Sequence, residues 1–387
     1  MDNYERAFAI KEEIIGHRRT LHQMPEIGLD LPQTVAYVKA CLTKMGYEPQ
    51  DVGGGVVVTV GKSGKTILLR ADMDALPMRE ESGLSFAATN GNCHACGHDI
   101  HTAMLLGAAK LLKAQEATLQ GTVKLMFQPG EESAGGAKKM LEAGVLDNPK
   151  VDCAIMLHVY SNRDAGVAVQ IGTKCASSDD ISIRVYGKGG HAARPYEGVD
   201  AVYIAAQIVI GLQELLTREL AYDQQAVLSL CHIEGGHAKN VLPDSVLIEG
   251  TLRTFDPEVQ KLVKHRISEI AQGIAQTYRG RAEVDRTPGT PVLVNEVAFS
   301  SELKRYVEEF SQGRFPIQPG WVSSGSEDFA HVASKVPGCA IGLSIPVSDT
   351  EKQYPLHNPK VLFEEKNIPV GTAVYAECAM RWLEEHC

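Results

Sequence analysis

The densest group of chemically active side chains lies in ten residues, Asn92–His101. This segment holds two cysteines, three histidines and one aspartate. Thiolate, imidazole and carboxylate groups are the protein ligands of zinc-like ions, so the segment is typical of a metal site. Cys93 and Cys96 could instead form a redox pair, and a structurally satisfied polar loop is a further alternative. No second C-x-x-C motif completes a four-cysteine zinc site, so other ligands must come from elsewhere in the chain.

Two adjacent carboxylates, Glu131 and Glu132, follow the apolar run Leu125–Phe127. Burying two like charges is costly unless a positive group lies between them. Since adjacent residues point in different directions, one carboxylate could bind a metal ion while the other faces the metal-bound water. A solvated acidic loop is the alternative.

Two more histidines could complete such a site. His158 ends the apolar run Met156–Leu157, where a hydrogen-bonded core histidine is the commoner situation. His357 lies in the proline-braced loop Tyr354–Pro359, where a surface position would be ordinary. Convergence favours a metal site, because a Cys, two His and a Glu would meet on the same side of one sheet.

Strands and helices alternate around these residues, which indicates an α/β layer with a largely parallel sheet. In such sheets, sites form where loops leave the carboxyl ends of the strands. The predicted elements are strands at 55–60, 66–70, 122–127, 153–158 and 336–343, and helices at 4–22, 34–45, 101–117, 136–143, 302–312 and 369–385.

Between 180 and 291 the order of elements changes to βαββαβ, the ferredoxin-like unit. Its predicted elements are strands at 181–186, 226–234, 245–254 and 281–286, and helices at 199–219 and 257–278. Because this unit is complete in itself, we predict that 180–291 is an inserted domain. The remaining residues, 1–179 and 292–387, would form one discontinuous α/β domain.

Composition excludes several classes of protein. The chain has 38 Lys and Arg against 48 Asp and Glu, a net charge of −10. This argues against nucleic acid or an anionic membrane as partner, because both bind through clustered basic residues. The odd number of cysteines, nine, indicates reduced thiols. The N-terminus lacks a signal-peptide pattern, and the most apolar stretch, Val202–Leu216, is too short to span a bilayer. We expect a soluble, cytoplasmic protein.

Four motifs are specific enough to indicate a family: Arg70–Pro77, His94–Leu105, Phe127–Glu132 and Gly189–Pro195. They resemble the dinuclear metallopeptidase family of aminoacylases and glutamate-type carboxypeptidases. Within it, they are most similar to the amidohydrolase branch of hippurate hydrolases, N-acyl-amino-acid amidohydrolases, auxin-conjugate hydrolases and N-acetyldiaminopimelate deacetylases. The similarity covers essentially the whole chain. It implies a zinc-peptidase-like catalytic domain with a mixed, largely parallel sheet, and a ferredoxin-like lid and dimerisation domain.

The resemblance implies five protein ligands for two divalent metal ions per subunit: Cys96, His98, Glu132, His158 and His357. Cys96 would hold the bridging place that an Asp occupies in much of the wider family. Asp74 resembles the carboxylate that orients a ligand imidazole. Asp72 stands where other branches carry a ligand His and is not counted as a ligand. A Cys ligand favours Zn, while Mn, Co and Ni are also compatible.

The resemblance also implies catalytic roles. Glu131 would be the general base that takes a proton from the metal-activated water and passes it to the leaving amine. His191 would reach from the lid domain of a partner subunit and donate to the oxyanion; a His that bonds its own turn is the alternative. Asn240 and Arg253 would bind substrate, Arg253 through a carboxylate. A plain turn and a structural salt bridge are their alternatives.

We therefore predict a metal-dependent amidohydrolase that cleaves N-acyl-L-amino acids, hippurate-like or N-acetyl, to a carboxylic acid and a free amino acid. A dipeptidase or carboxypeptidase on the same scaffold is the nearest alternative. A non-catalytic metal-binding dimerisation protein is less favoured, because a scaffold has no use for Glu131 beside Glu132. The resemblance implies a homodimer formed through the lid domain, and a tetramer is compatible with it.

Overall fold

A computed structural model describes every residue of the chain except Ala134, Arg286 and Pro288. Within the described residues, the contacts between residues divide the chain into two compact units. The first unit comprises Met1–Lys174, Val294–Trp321 and Asp328–Cys387, and the second comprises Cys175–Leu293 and Val322–Glu327. The predicted domain boundaries at 179/180 and 291/292 stay a prediction.

The strands of the described residues are β1 (Gln50–Val52), β2 (Gly55–Gly61), β3 (Thr66–Asp72), β4 (Thr122–Gln128), β5 (Cys153–Tyr160), β6 (Gly166–Val169), β7 (Gly172–Cys175), β8 (Asp179–Tyr186), β9 (Gly190–His191), β10 (Ala226–Glu234), β11 (Val241–Leu242), β12 (Ser245–Thr254), β13 (Arg281–Val284), β14 (Leu293–Asn295) and β15 (Gly338–Ser344).

The α-helices are α1 (Asn3–Ala9), α2 (Lys11–His22), α3 (Pro32–Lys44), α4 (His98–Ala114), α5 (Gly136–Glu142), α6 (Ala201–Glu214), α7 (Pro257–Thr277), α8 (Val297–Ser311), α9 (Ala330–Ala333) and α10 (Ile368–Glu385). None of the described helices is both long and apolar enough to cross a membrane.

The first unit is built on a seven-stranded mixed sheet with the order β1-β2-β4-β3-β5-β15-β6. Its four central strands, β4, β3, β5 and β15, run parallel, and the outer strands pair antiparallel. Strands β3 and β15 are buried along their full length, as expected for central strands that are covered on both faces. The predicted α/β class with a largely parallel sheet is confirmed.

The second unit has a four-stranded antiparallel sheet with the order β10-β12-β8-β13. The chain runs β8-α6-β10-β12-α7-β13, which is the predicted βαββαβ order. Its core lies between the sheet and the two helices, with residues such as Ile183, Ile208 and Val263 buried completely. The predicted ferredoxin-like unit is therefore present.

Some predicted elements have different bounds. The predicted helix 4–22 is broken at Ile10 into α1 and α2. The predicted helix 199–219 ends at Glu214 as an α-helix and continues as a π-helical turn, Leu215–Glu219. Helix α8 begins at Val297 rather than 302, because the Glu296 side chain caps it by accepting from two backbone N–H groups. The predicted strand 281–286 ends at Val284, and Arg286 lies outside the described residues.

Candidate active site

The first unit gathers chemically active side chains at the carboxyl ends of β3, β4 and β5. Helix α4 begins at His98, three residues before the predicted start, so both His98 and His101 lie in its first turn. The turn before it needs Gly97, which has φ +88° and whose Cβ would come within 2.5 Å of Val159 Cγ2. This turn fixes Cys96 just outside the helix and His98 at its first residue.

The structure brings all five predicted ligands together in two overlapping groups. In each group the ligand atoms lie within 4.8 Å of one another. Cys96 belongs to both groups, and its bridging place stays a prediction. The first group is Cys96, His98 and His158, and the second is Cys96, Glu132 and His357.

The donor set fits divalent metal ions. His98 Nε2 and Glu132 Oε1 are buried, and neither has a hydrogen-bond partner among the described residues. Buried polar atoms are normally partnered, so these two need a further group between them. The Cys96 thiol lies 3.5 Å from His158 Nε2, and His357 Nε2 lies 3.3 Å from Glu132 Oε1. Sulfur, imidazole and carboxylate around one space match the ligand chemistry of zinc and related ions.

Asp74 fixes three parts of this site. Its backbone carbonyl accepts from His98 Nδ1 at 2.9 Å, so the proton must be on Nδ1 and Nε2 is available to a metal ion. Its carboxylate accepts from the backbone N–H groups of Glu131 and Glu132 at 3.0 and 3.1 Å. The carboxylate lies 3.4 Å from His98 Nδ1, so the closer contact to the imidazole is made by the main chain.

The other two histidines are oriented by the backbone. His158 Nδ1 donates to the Val159 carbonyl at 2.8 Å, which leaves Nε2 facing Cys96. The His357 backbone donates to the Ala95 carbonyl at 2.9 Å and has φ +63°, an uncommon conformation for a residue other than glycine. Its side chain is 52% exposed, so His357 is the accessible member of an otherwise buried set.

Burial and neighbouring charges shift the proton equilibria of the ligands. Burial raises the pKa of the Cys96 thiol well above its ordinary value. Burial disfavours charged His98, but Asp72, Cys96 and Asp74 together outweigh this effect and raise the imidazole pKa. Burial would raise the pKa of Glu132, yet His357 and His98 hold it below its ordinary value. The site therefore retains protons that a bound cation would displace.

Glu131 faces the same space as the ligands. Its side chain is 11% exposed, and Oε2 lies 3.9 Å from His98 Nε2. Its Oε1 accepts a long hydrogen bond, 3.4 Å, from the Asp328 backbone N–H. This carboxylate thus lies beside the predicted ligands, while Glu132 contacts His357. The roles of the two carboxylates stay a prediction.

Asp72, which is not counted as a ligand, bonds to neighbouring side chains, although with His98 and His101 it forms a further group of possible ligand atoms. Its carboxylate accepts from Arg70 at 2.7 Å and from His101 Nδ1 at 2.6 Å, and it comes only within 3.7 Å of His98 Nε2. Sequence reasoning missed the contributions of Arg70, His101 and Asp328. The available signal was in β3, where Arg70 and Asp72 interrupt an apolar strand and so indicate a buried polar network.

The other predicted site residues lie in the second unit. His191 and Asn240 are neighbours, because β9 pairs with β11 and the Ala192 N–H donates to the Asn240 carbonyl at 3.1 Å. Both side chains are exposed. Arg253 is half-buried on β12, and its Nη1 donates to the Ser177 carbonyl at 3.3 Å. No ion pair of Arg253 occurs among the described residues.

The model of Peptidase family M20/M25/M40 matches residues 68–381. The chain belongs to this family. The predicted family is therefore confirmed, and the protein is a hydrolase of a metal-dependent amidohydrolase and peptidase family.

Three relatives match nearly the whole chain. N-acetyl-L-cysteine deacetylase of Bacillus subtilis is 36% identical over 97% of this chain and 90% of its own length. IAA-amino acid hydrolase ILR1-like 4 of Arabidopsis thaliana is 38% identical over 96% and 86%. Thermostable carboxypeptidase 2 of Saccharolobus solfataricus is 34% identical over 96% of both chains.

Solved structures agree with this assignment. A protein from methicillin-resistant Staphylococcus aureus superposes with a TM-score of 0.94, at 31% identity and 98% coverage of both chains. A Bacillus subtilis protein described as a dinuclear metal binding peptidase from M20 family has a TM-score of 0.84, at 32% identity over 97% of this chain and 99% of the other.

Proposed function

We propose that this chain hydrolyses the amide bond of N-acyl-L-amino acids, with hippurate-like or N-acetyl substrates, to a carboxylic acid and a free amino acid. The single observation that carries the proposal is the pair Glu131–Glu132. Asp74 holds the backbone of both residues, so that Glu132 belongs to the ligand group and Glu131 lies next to it. Two relatives that are named for deacetylating N-acetylcysteine and for hydrolysing IAA-amino acids support amide cleavage.

The proposed metal ligands are Cys96, His98, Glu132, His158 and His357, for two ions of Zn, Mn, Co or Ni. Such ions, when bound, polarise a carbonyl and lower the pKa of a water molecule toward neutrality. Asp74 and the Val159 carbonyl keep two of the imidazoles in the tautomer that leaves Nε2 available. The fold thus supplies oriented ligands before any ion arrives.

Glu131 is the proposed general base. Its carboxylate takes the proton of the attacking water and then gives it to the leaving amine nitrogen. The Asp328 N–H on Oε1 and the nearby His98 ring limit the directions in which this carboxylate can turn. Its partial burial, with 11% of the side chain exposed, restricts competition from bulk water.

The proposed substrate contacts come from the second unit. The Ala193 N–H donates to His191 Nδ1 at 3.1 Å, so neutral His191 carries its proton on Nε2 and can donate it to an oxyanion. Arg253 would bind the carboxylate of the amino-acid product side, and Asn240 would donate to the substrate near the carbonyl. A fork-shaped guanidinium suits a planar carboxylate.

We further propose a homodimer formed through the second unit, with His191 serving the partner's site; a tetramer is compatible with this. Strand β10 lies at the edge of its sheet and exposes Val227 and Ile233, 53% and 54% respectively. Helix α6 exposes Tyr203 and Ile210. Exposed apolar residues beside an open strand edge are typical of an interface. The nine free cysteines support a cytoplasmic location.

A carboxypeptidase or dipeptidase is the second candidate, and the name of the Saccharolobus relative favours it. Both candidates cleave an amide next to a free carboxylate. They differ on the acyl side, where a dipeptide would bring an ammonium group.

A substrate panel tests the proposal. Protein reconstituted with Mn, Zn, Co or Ni is assayed with hippurate, N-acetylmethionine and a set of dipeptides. We expect the kcat/KM for N-acyl amino acids to exceed that for dipeptides. Activity on dipeptides alone would contradict the choice of substrate class and favour the second candidate.

The base is tested by Glu131→Gln. We expect kcat to fall by about 10²–10⁴-fold with unchanged metal content, because the amide keeps the shape but cannot accept the proton. Glu142→Gln, at an exposed glutamate of the neighbouring helix α5, is the matched control and should keep full turnover. Full turnover of the Glu131 variant would refute the mechanism.

A further inference from the structure

A buried guanidinium lies behind the candidate active site. Arg70 is fully buried in the central strand β3. It donates to Gln128 Oε1 at 2.9 Å, to Asp72 Oδ2 at 2.7 Å and to Asp328 Oδ1 at 2.8 Å. These partners come from β3 itself, from the end of β4 and from the loop before α9. One side chain thereby joins the three segments that surround Glu131.

One arm of this network leads to a proposed metal ligand. Asp72 Oδ1 accepts from His101 Nδ1 at 2.6 Å, and His101 Nε2 accepts from the Val159 N–H at 2.8 Å. A backbone N–H only donates, so His101 carries its proton on Nδ1 and both ring nitrogens are engaged. The carbonyl of the same Val159 accepts from His158 Nδ1. The arm therefore holds Val159, the residue whose carbonyl orients His158.

The other arm leads to the proposed base. Asp328 is almost fully buried, and its Oδ1 and Oδ2 accept from Gln128 Nε2 at 2.8 and 2.9 Å. Its Oδ2 also accepts from the Ala137 N–H at 2.9 Å, near the start of α5. With its side chain fixed in this way, the Asp328 backbone N–H points at Glu131 Oε1. Arg70 therefore shares in holding the residue whose N–H contacts Glu131, together with Gln128 and the Ala137 N–H.

Stability alone is a poor explanation for this network. Taking charged groups out of water is expensive, and well-packed apolar residues are often as stable as a buried ion pair. Breaking such a network, in contrast, leaves an uncompensated charge. An apolar strand that keeps an Arg and an Asp directly behind a site gains orientation rather than stability, since fully bonded buried networks hold a unique geometry.

We propose that Arg70, Asp72, His101 and Asp328 form a positioning relay that orients the ligand His158 and the base Glu131 as one unit. This inference rests on the proposed function of the site. None of the four residues is assigned a contact with substrate, so they are positioning residues. A change at the Asp328 end is expected to be felt at His158, on the far side of Arg70.

The relay is tested by the absorption spectrum of the Co(II)-loaded protein, which reports ligand geometry without turnover. Three variants are compared: Asp328→Asn, His101→Leu, and the double variant. We expect Asp328→Asn to change the Co(II) spectrum although Asp328 is not a ligand. We also expect it to lower kcat about tenfold or more, with KM within about twofold, because a base displaced by a fraction of an ångström loses rate rather than binding. The double variant should lose less than the product of the two single losses.

Two conservative variants keep the test decisive. His101→Gln can still donate to Asp72 and accept from the Val159 N–H, so it should restore the wild-type spectrum. Arg70→Lys keeps the charge without the three-way geometry and should change the spectrum, even where His101→Leu does not fold. Thr372→Val, which removes a different buried hydrogen bond in the same unit, is the matched control and should leave the spectrum unchanged.

An unchanged Co(II) spectrum in Asp328→Asn and Arg70→Lys would overturn the relay, and so would multiplicative losses in the double variant. If wild-type protein cleaves none of the substrates, the proposed function fails separately, because the spectra still report whether Asp328 and His158 are coupled.

Discussion

The two sets of proposed functional residues differ in how the fold holds them. Four of the five proposed metal ligands are buried or nearly so. Hydrogen bonds within the first unit fix the rings of His98 and His158 and the backbone N–H of Glu132. In the second unit, His191 is exposed on the two-residue strand β9, and Asn240 is exposed in the turn directly before β11. Preorganised groups lose little freedom when charge develops, whereas exposed groups must be ordered by the substrate. The difference predicts separate kinetic signatures for the two sets.

Removing Cys96 should have the largest effect, because it belongs to both ligand groups. For Cys96→Ala we expect metal affinity to fall by more than the about 10- to 100-fold that is typical of losing an outer partner of a ligand. The measurement is metal content per subunit after dialysis against a weak chelator. Cys339→Ala, at a fully buried thiol of the same unit, is the control. Equal metal content in the two variants would contradict the assignment of Cys96 as a metal ligand.

His191→Ala should affect turnover without affecting the metal. We expect kcat to fall by about 10²–10³-fold, the usual result of losing one oxyanion donor, at constant metal content. His265→Ala, at an exposed histidine of α7, controls for the loss of an imidazole. If kcat stays within about twofold of wild type, His191 only bonds its own turn. The proposed catalytic role of the exposed set would then be wrong.

Arg253→Ala should raise KM. A hydrogen bond to a charged group contributes about 1.5–3 kcal/mol, which corresponds to about 10- to 100-fold in KM for an N-acyl amino acid. The measurement compares this substrate with its primary amide, which lacks the carboxylate. We expect the variant to lose discrimination between them. An equal rise in KM for both substrates would point to a structural role.

Metal affinity should rise with pH, because the buried Cys96 thiol must lose its proton to bind a metal ion. Burial raises the pKa of the Cys96 thiol, so protons compete with the metal and affinity falls as the pH is lowered. The slope is up to about tenfold per pH unit for each proton displaced. Cys96→Asp should flatten this dependence at neutral pH, since the ordinary pKa of Asp is about 3.9 against about 8.5 for Cys. Metal titrations at pH 6, 7 and 8 measure it, and equal slopes in both proteins would contradict the assignment.

The sequence predicted elements best where the pattern is local. Strands β10 and β12 have the predicted bounds, since each is a run of β-branched and apolar residues between turns. The start of α4 was predicted three residues late, because polar His98 hides the start of an apolar helix and the left-handed turn at Gly97 has no hydrophobic signature. The break at Ile10 is likewise invisible to periodicity.

The candidate site divides in the same way. The ligands could be proposed from a dense motif and a family resemblance, because metal chemistry restricts residue types strongly. The pairing of Arg70 with Asp328 could not, since Asp328 lies 258 residues away in the chain and only folding brings the two together. Hydrogen-bond networks across distant segments leave no spacing that a sequence pattern can reveal.

The position of β15 in the sheet has a consequence for synthesis. This strand lies between β5 and β6, yet it is translated after the whole of the second unit. A nascent chain therefore has β5 with one open edge, and carries four of the five proposed ligands before His357 exists. Such an edge invites wrong pairing with other chains during translation. Completion of the proposed ligand set is thus tied to closure of the sheet, because β15 and His357 are both made after the second unit.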